Sequence, residues 1–92
     1  MENNEIVITR RDNLVKALEF LYANIGMRFT PDAIKEKSGS ISCSHASTGR
    51  TLRRAEHRGD TYKGYRLYRD YYRNQANEDI VVFYLAPERA AL

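Results

Sequence analysis

The sequence predicts an α+β domain in which three helices precede a C-terminal β-hairpin, with a short strand or extended arm at the N-terminus. Three observations predict it. Leu14, Leu18, Leu21 and Ile25 recur at the spacing of one helix face. "TPDAIKEKSG" and "RTLRRAEHRG" carry helix start and stop signals. "DIVVFYLAP" is β-branched and aromatic, and the polar, turn-prone "RNQANED" divides it from a tyrosine-rich segment, which is the pattern of a hairpin.

Each element follows in order. "EIVIT" (residues 5–9) is apolar and β-branched, and suits either an edge strand or an extended arm. "DNLVKALEFLYANIG" reads as the first helix. Asp12 or Asn13 is its cap, Gly26 its left-handed stop, and Leu14, Leu18, Leu21 and Ile25 its buried stripe. "MRFT" reads as an extended segment. In the next helix Thr30 is the N-cap, Pro31 the first residue and Asp32 a favourable first-turn acid, with Ser38-Gly39 as the stop. Ala33 and Ile34 are its core contacts.

The third helix runs from about His45 to Arg58, capped by Ser42 or Ser44 and ended by Gly59. Thr48, Leu52 and Ala55 face a core. Ser47, Arg50, Thr51, Arg54 and Arg58 take the opposite face. Gly49 costs about 1 kcal/mol relative to alanine inside a helix, which close approach to a neighbouring helix would explain. Arg50, Arg54 and Arg58 repel one another, because like charges at i, i+4 destabilise a helix by a few tenths of a kcal/mol. Folding does not require them, and a polyanion would remove the cost.

The segment "TYKGYRLYRDYYR" places tyrosines at 62, 65, 68 and 71. Steps of three on a helix would turn each by about −60° and spread them over half the cylinder. A strand near 65–72, paired with a strand near 79–85, fits better. Tyr65, Leu67 and Tyr71 then share one face as core or rim, while Arg66, Tyr68, Asp70 and Tyr72 share the other. Tyr68 and Tyr72 become the rings left to meet a phosphate backbone or a protein.

The chain has 92 residues, 42% of them hydrophobic, which suits one globular domain. The arm takes 1–11, the domain 12–87 and a tail 88–92. No apolar run approaches the ~20 residues of a membrane span, and "MENNEIVITRRDN" lacks a signal-peptide apolar region, so the expected location is the cytoplasm, with the nucleoid. Cys43 is the single cysteine. The net charge is +3, but eight basic residues against three acidic ones between Ser44 and Arg73 give that stretch +5. A basic middle on a near-neutral body is the footprint of a nucleic-acid binder.

The order of helix, extended piece, short capped helix, turn, arginine-bearing helix and hairpin resembles the winged helix-turn-helix fold of DNA-binding domains. The resemblance spans about Asp12 to Pro87. Its most telling stretch is "FTPDAIKEKSGSISCSHASTGRTLRRAEHRG", followed directly by strands. Leu52, Ala55 and Gly59 match the "L-x-x-A/L-x-x-x-G" ending of that family's recognition helix, and "MRFT" matches the small strand that pairs with the wing. The serine-rich linker 38–47 is longer than the family's usual tight turn and leaves the start of the recognition helix open.

The resemblance implies sequence-specific binding of double-stranded DNA by a small transcriptional regulator, with helix 45–58 in the major groove and hairpin 65–85 as the wing. Ser44, Ser47, Arg50, Thr51, Arg53, Arg54, Arg58, Lys63, Arg66 and Arg73 form the expected contact set. Arg50, Thr51 and Arg54, with Ser47, are placed for base edges. Ser44 and Ser47 can instead donate to phosphate. Arg53 and Arg58 clamp the backbone. Lys63, Arg66 and Arg69 line the phosphate path, and Arg73, Asn74 and Gln75 form a wing tip for the minor groove. A binder of this size commonly works as a homodimer on a palindromic site.

No cofactor is expected. An enzyme is not expected either: Cys43, His45 and His57 are the only thiol and imidazoles, His57 reads as solvated, and no ordered ligand spacing, phosphate loop or nucleophile elbow is present. The alternative reading is a winged-helix module that docks an acidic protein through its tyrosine- and arginine-rich surface, since fold does not fix function. RNA recognition by tyrosines stacking on bases ranks third, because one hairpin offers little exposed sheet.

Overall fold

The computed structural model describes residues 10–39 and 45–88, the side chains of 10–12 and 45–47 excepted. The chain folds as α1 (Arg10–Ala23), α2 (Pro31–Ser38), α3 (His45–Arg58), β1 (Thr61–Tyr62), β2 (Tyr65–Arg73) and β3 (Asp79–Pro87). The strands form one antiparallel sheet in the order β1-β2-β3. This is the α+β class read from the sequence, with one strand more than the hairpin. "EIVIT" in the arm, Cys43, Ser44 and most of the tail lie outside the described residues.

Local chemistry accounts for the boundaries. The Thr30 side chain accepts the Ala33 amide at 3.2 Å, Pro31 opens α2, and Gly39 closes it at φ 80 while its amide donates to Lys35 O. Gly59, at φ 81, ends α3 by donating to Glu56 O at 3.0 Å, and Asp60 donates to Ala55 O at 3.0 Å. This pair of bonds is the Schellman closure that satisfies the last carbonyls of a helix. Asp60 O then accepts the Leu67 amide at 3.1 Å, which ties the helix end to β2.

α1 departs from its expected frame. It starts at Arg10, so Asn13 lies inside the helix and is buried instead of capping it. The helix ends at Ala23, where the Asn24 side chain donates to Phe20 O at 2.8 Å. Gly26 is left-handed as expected, at φ 89, but it belongs to the turn that follows. Ile25, read as the last residue of the buried stripe, sits in that turn with 41% of its surface exposed. The early stop removes it from the helix face.

Leu18, Leu21, Ile34, Leu52, Ala55, Leu67, Phe83 and Leu85 form the core between the three helices and one face of the sheet. "MRFT" does meet the sheet: Phe29 and Phe83 form a single antiparallel bridge. β2 and β3 pair through Leu67–Leu85, Arg69–Phe83, Tyr71–Val81 and Arg73–Asp79, which places these residues on the helix-facing side. The opposite side is not bare, because Tyr68 stacks on Tyr84 at 5.6 Å and Arg28 lies 4.2 Å over the Tyr84 ring. Lys63 and Gly64 both have positive φ, 51 and 87, and make the two-residue turn from β1 to β2. No helix among the described residues is long and apolar enough to cross a membrane.

Candidate nucleic-acid interface

The packing of α3 decides which side chains it presents. Thr48, Leu52 and Ala55 are buried against the core. With 3.6 residues per turn, Arg50, Arg53, Arg54, His57 and Arg58 are left on the outer face, and all five are exposed. Thr51 is half-buried on the flank of this face, and Ser47 lies on α3 with its side chain outside the described set.

Arg53, Arg54, His57 and Arg58 meet Arg69 of β2 around an open basin of about 400 Å³. Strand alternation explains Arg69. Leu67 points into the core, so residue 69 shares its side and comes up beside α3. Its Nε lies 3.3 Å from Glu56 Oε1. Beyond it on the same strand face come Tyr71, 54% exposed, and then Arg73. The Arg69 guanidinium is 5.8 Å from the Tyr71 ring centre.

The charges around the basin are unevenly compensated. Arg58 forms a forked pair with Asp60, 2.7 and 3.3 Å, and that hydrogen bond and charge hold its pKa above the ordinary arginine range. Arg69 has Glu56. Arg50, Arg53 and Arg54 have no carboxylate partner among the described residues. Three uncompensated guanidinium groups thus share a face with two compensated ones, and anions are attracted there.

The rest of the expected contact set disperses. Lys63 sits at the β1–β2 turn, 5.2 Å from the Tyr22 ring and 5.5 Å from Tyr62, and does not line the basin. Arg66 points to the other side of β2 from Arg69 and lies 5.4 Å from the Tyr68 ring. Arg73 is held at the hairpin tip by Asp79 at 3.1 Å and Asn77 at 3.1 Å. Glu78 and Asp79 make that tip mixed in charge, and Asn74 bonds to Glu78 by side chain and backbone.

Two assignments of the tyrosines are reversed. Tyr71, expected in the core or rim, is exposed, although Val81 opposite it packs against the core. Tyr68, expected to face a partner, is half-buried on Tyr84, and its hydroxyl donates to Pro87 O at 3.4 Å. Tyr65 does pack against the core as expected, and Tyr72 is exposed. The sequence reads His57 as solvated and gives Glu56 no role. The spacing of His57, four residues from Arg53 and three from Arg54, was the signal that groups it with them.

Protein-family models, curated proteins and solved structures were compared with this chain, and none matches.

Proposed function

We propose that this chain is a small winged-helix domain that binds double-stranded DNA, with α3 in the major groove and the β2–β3 hairpin as the wing. The observation that carries this reading is the row of uncompensated arginines, Arg50, Arg53 and Arg54, on the one face of α3 that the core leaves open. Arg50 and Thr51, nearer the N-terminal half of the helix, address base edges, and arginine pairs bidentately with guanine. Arg53, Arg54, Arg58 and Arg69 take backbone phosphates. Sequence specificity and a regulatory role follow from base reading by Arg50. The hairpin tip contributes less than a cationic wing would, because Asp79 neutralises Arg73.

Fluorescence anisotropy with labelled duplex, run across a salt series, tests the proposal. Each phosphate contact adds about 0.9 to the log–log salt slope. The Arg53→Ala, Arg54→Ala double variant therefore loses roughly 1.8 of slope. Binding of that variant indistinguishable from the parent would sink the assignment of α3. Selection from a random duplex pool then tests specificity, and a symmetric consensus would report a dimer.

The exposure of both Tyr71 and Tyr72, 54% and 53%, favours a second reading, a protein-docking surface on the hairpin. Absence of duplex binding at low salt selects it.

A further inference from the structure

We infer that Glu56 sets the anion affinity of the α3–β2 basin by competing for Arg69, an inference that rests on the anion-binding reading of α3 above. Glu56 is the carboxylate paired with the one arginine that reaches the basin from the sheet. Its position is unusual for a structural tie. Oε1 is buried and has no hydrogen-bond donor, although Arg69 Nε is 3.3 Å away, so the approach is too oblique for a hydrogen bond. A half-satisfied pair is a poor stabiliser, because desolvation of the carboxylate goes uncompensated. Asp60 differs: it grips Arg58 in a two-bonded fork.

A phosphate oxygen entering the basin offers Arg69 a better-aligned acceptor than Glu56 does. Arg69 then turns from the carboxylate to the anion, and Glu56 is left as a negative charge beside it. The carboxylate weakens every anion the basin takes and selects for ligands with enough charge to overcome it. Glu56 is thus a tuning residue that acts through Arg69.

Inorganic pyrophosphate is the probe, with affinity read by calorimetry and contact by the arginine Nε–Hε resonances. Glu56→Gln tightens pyrophosphate about two- to fivefold, the range a weak, partly exposed ion pair supports. The Arg69 resonance is among those that shift, in the parent as in that variant. Arg69→Gln weakens binding, because it bares Glu56. The double variant Glu56→Gln, Arg69→Gln returns close to the parent, since it removes one charge of each sign beside the anion, and it carries the test alone if the single variant folds poorly. Equal or weaker binding by Glu56→Gln with an unchanged amide spectrum overturns the inference, as does a double variant clearly weaker than the parent or a basin that binds no pyrophosphate in any variant. Duplex DNA is absent from this experiment. A chain that follows the pyrophosphate pattern and ignores duplex rejects the DNA reading and keeps this one.

Discussion

Phe29 and Phe83 exchange both backbone hydrogen bonds, 3.1 and 2.8 Å, and so join the segment between α1 and α2 to the middle of β3. The same Phe83 side chain is fully buried, and Phe29 packs on Phe20 with ring centres 4.7 Å apart. One residue thereby anchors both the ladder and the core. Phe83→Ala should cost about 3–5 kcal/mol, the range for large aromatic-to-alanine changes in cores. Urea unfolding checks it. A loss under 1 kcal/mol would mean that the helical layer does not depend on this point of the sheet.

Two glycines of the α3 region should respond to alanine with opposite signs. Gly49 is helical, and an added Cβ would meet Pro31 Cβ and Cγ at 3.9 Å, an ordinary contact. The close helix approach expected from the sequence leaves room for a methyl group. Gly49→Ala should stabilise by about 0.5–1 kcal/mol. Gly59 also has room, its nearest neighbour being Arg66 Nη2 at 3.7 Å, but φ is 81. Gly59→Ala should destabilise by about 1–2 kcal/mol through backbone strain alone. Thermal melts of the two variants settle the signs.

Tyr68 and Tyr71 separate stability from binding. Tyr68 stacks on Tyr84, and aromatic pairs contribute about 0.5–1.5 kcal/mol beyond area burial. Tyr68→Ala should lower stability by at least that much and leave duplex affinity nearly unchanged. Tyr71 is exposed beside Arg69. Tyr71→Ala should change stability by less than about 1 kcal/mol, the span of strand propensity, and should weaken duplex binding. The reverse pattern, in unfolding and anisotropy titrations side by side, would restore the roles read from the sequence for these two rings.

That reversal shows where the sequence was legible. Thr30-Pro31 and Gly39 mark α2 because caps are local chemistry, and Thr48, Leu52 and Ala55 mark the buried face of α3 because periodicity is local too. The alternation about Leu67 was also readable. How far the helical layer reaches along β2 was not. Leu67 is buried and Tyr71 is 54% exposed on the same strand face, and no pattern within 65–73 encodes the length of a neighbouring layer. The basin was half legible for the same reason. Its α3 arginines follow from one helix face, whereas Arg69 and Glu56 meet only through the packing of strand on helix. The Lys63-Gly64 turn is legible as well, since a glycine between paired tyrosines suits a primed turn.

The arginine face should cost the fold what it gives to binding. Arg50, Arg54 and Arg58 follow one another at i, i+4, and only Arg58 has a carboxylate partner among the described residues. Like charges at this spacing destabilise a helix by about 0.2–0.5 kcal/mol each. Arg54 meets one such neighbour on each side, so Arg54→Gln relieves two repulsions and keeps a good helix former. The variant should gain a few tenths of a kcal/mol, up to about 1, at low ionic strength. The gain should shrink as salt screens the exposed charges over a Debye length of about 10 Å at 0.1 M. Duplex affinity should move the other way, with about 0.9 less salt slope. Unfolding at two ionic strengths, set against anisotropy of the same variant, checks both limbs. A variant less stable than the parent at low salt would show that Arg54 serves the fold, and the case for a polyanion at this face would lose its physical basis.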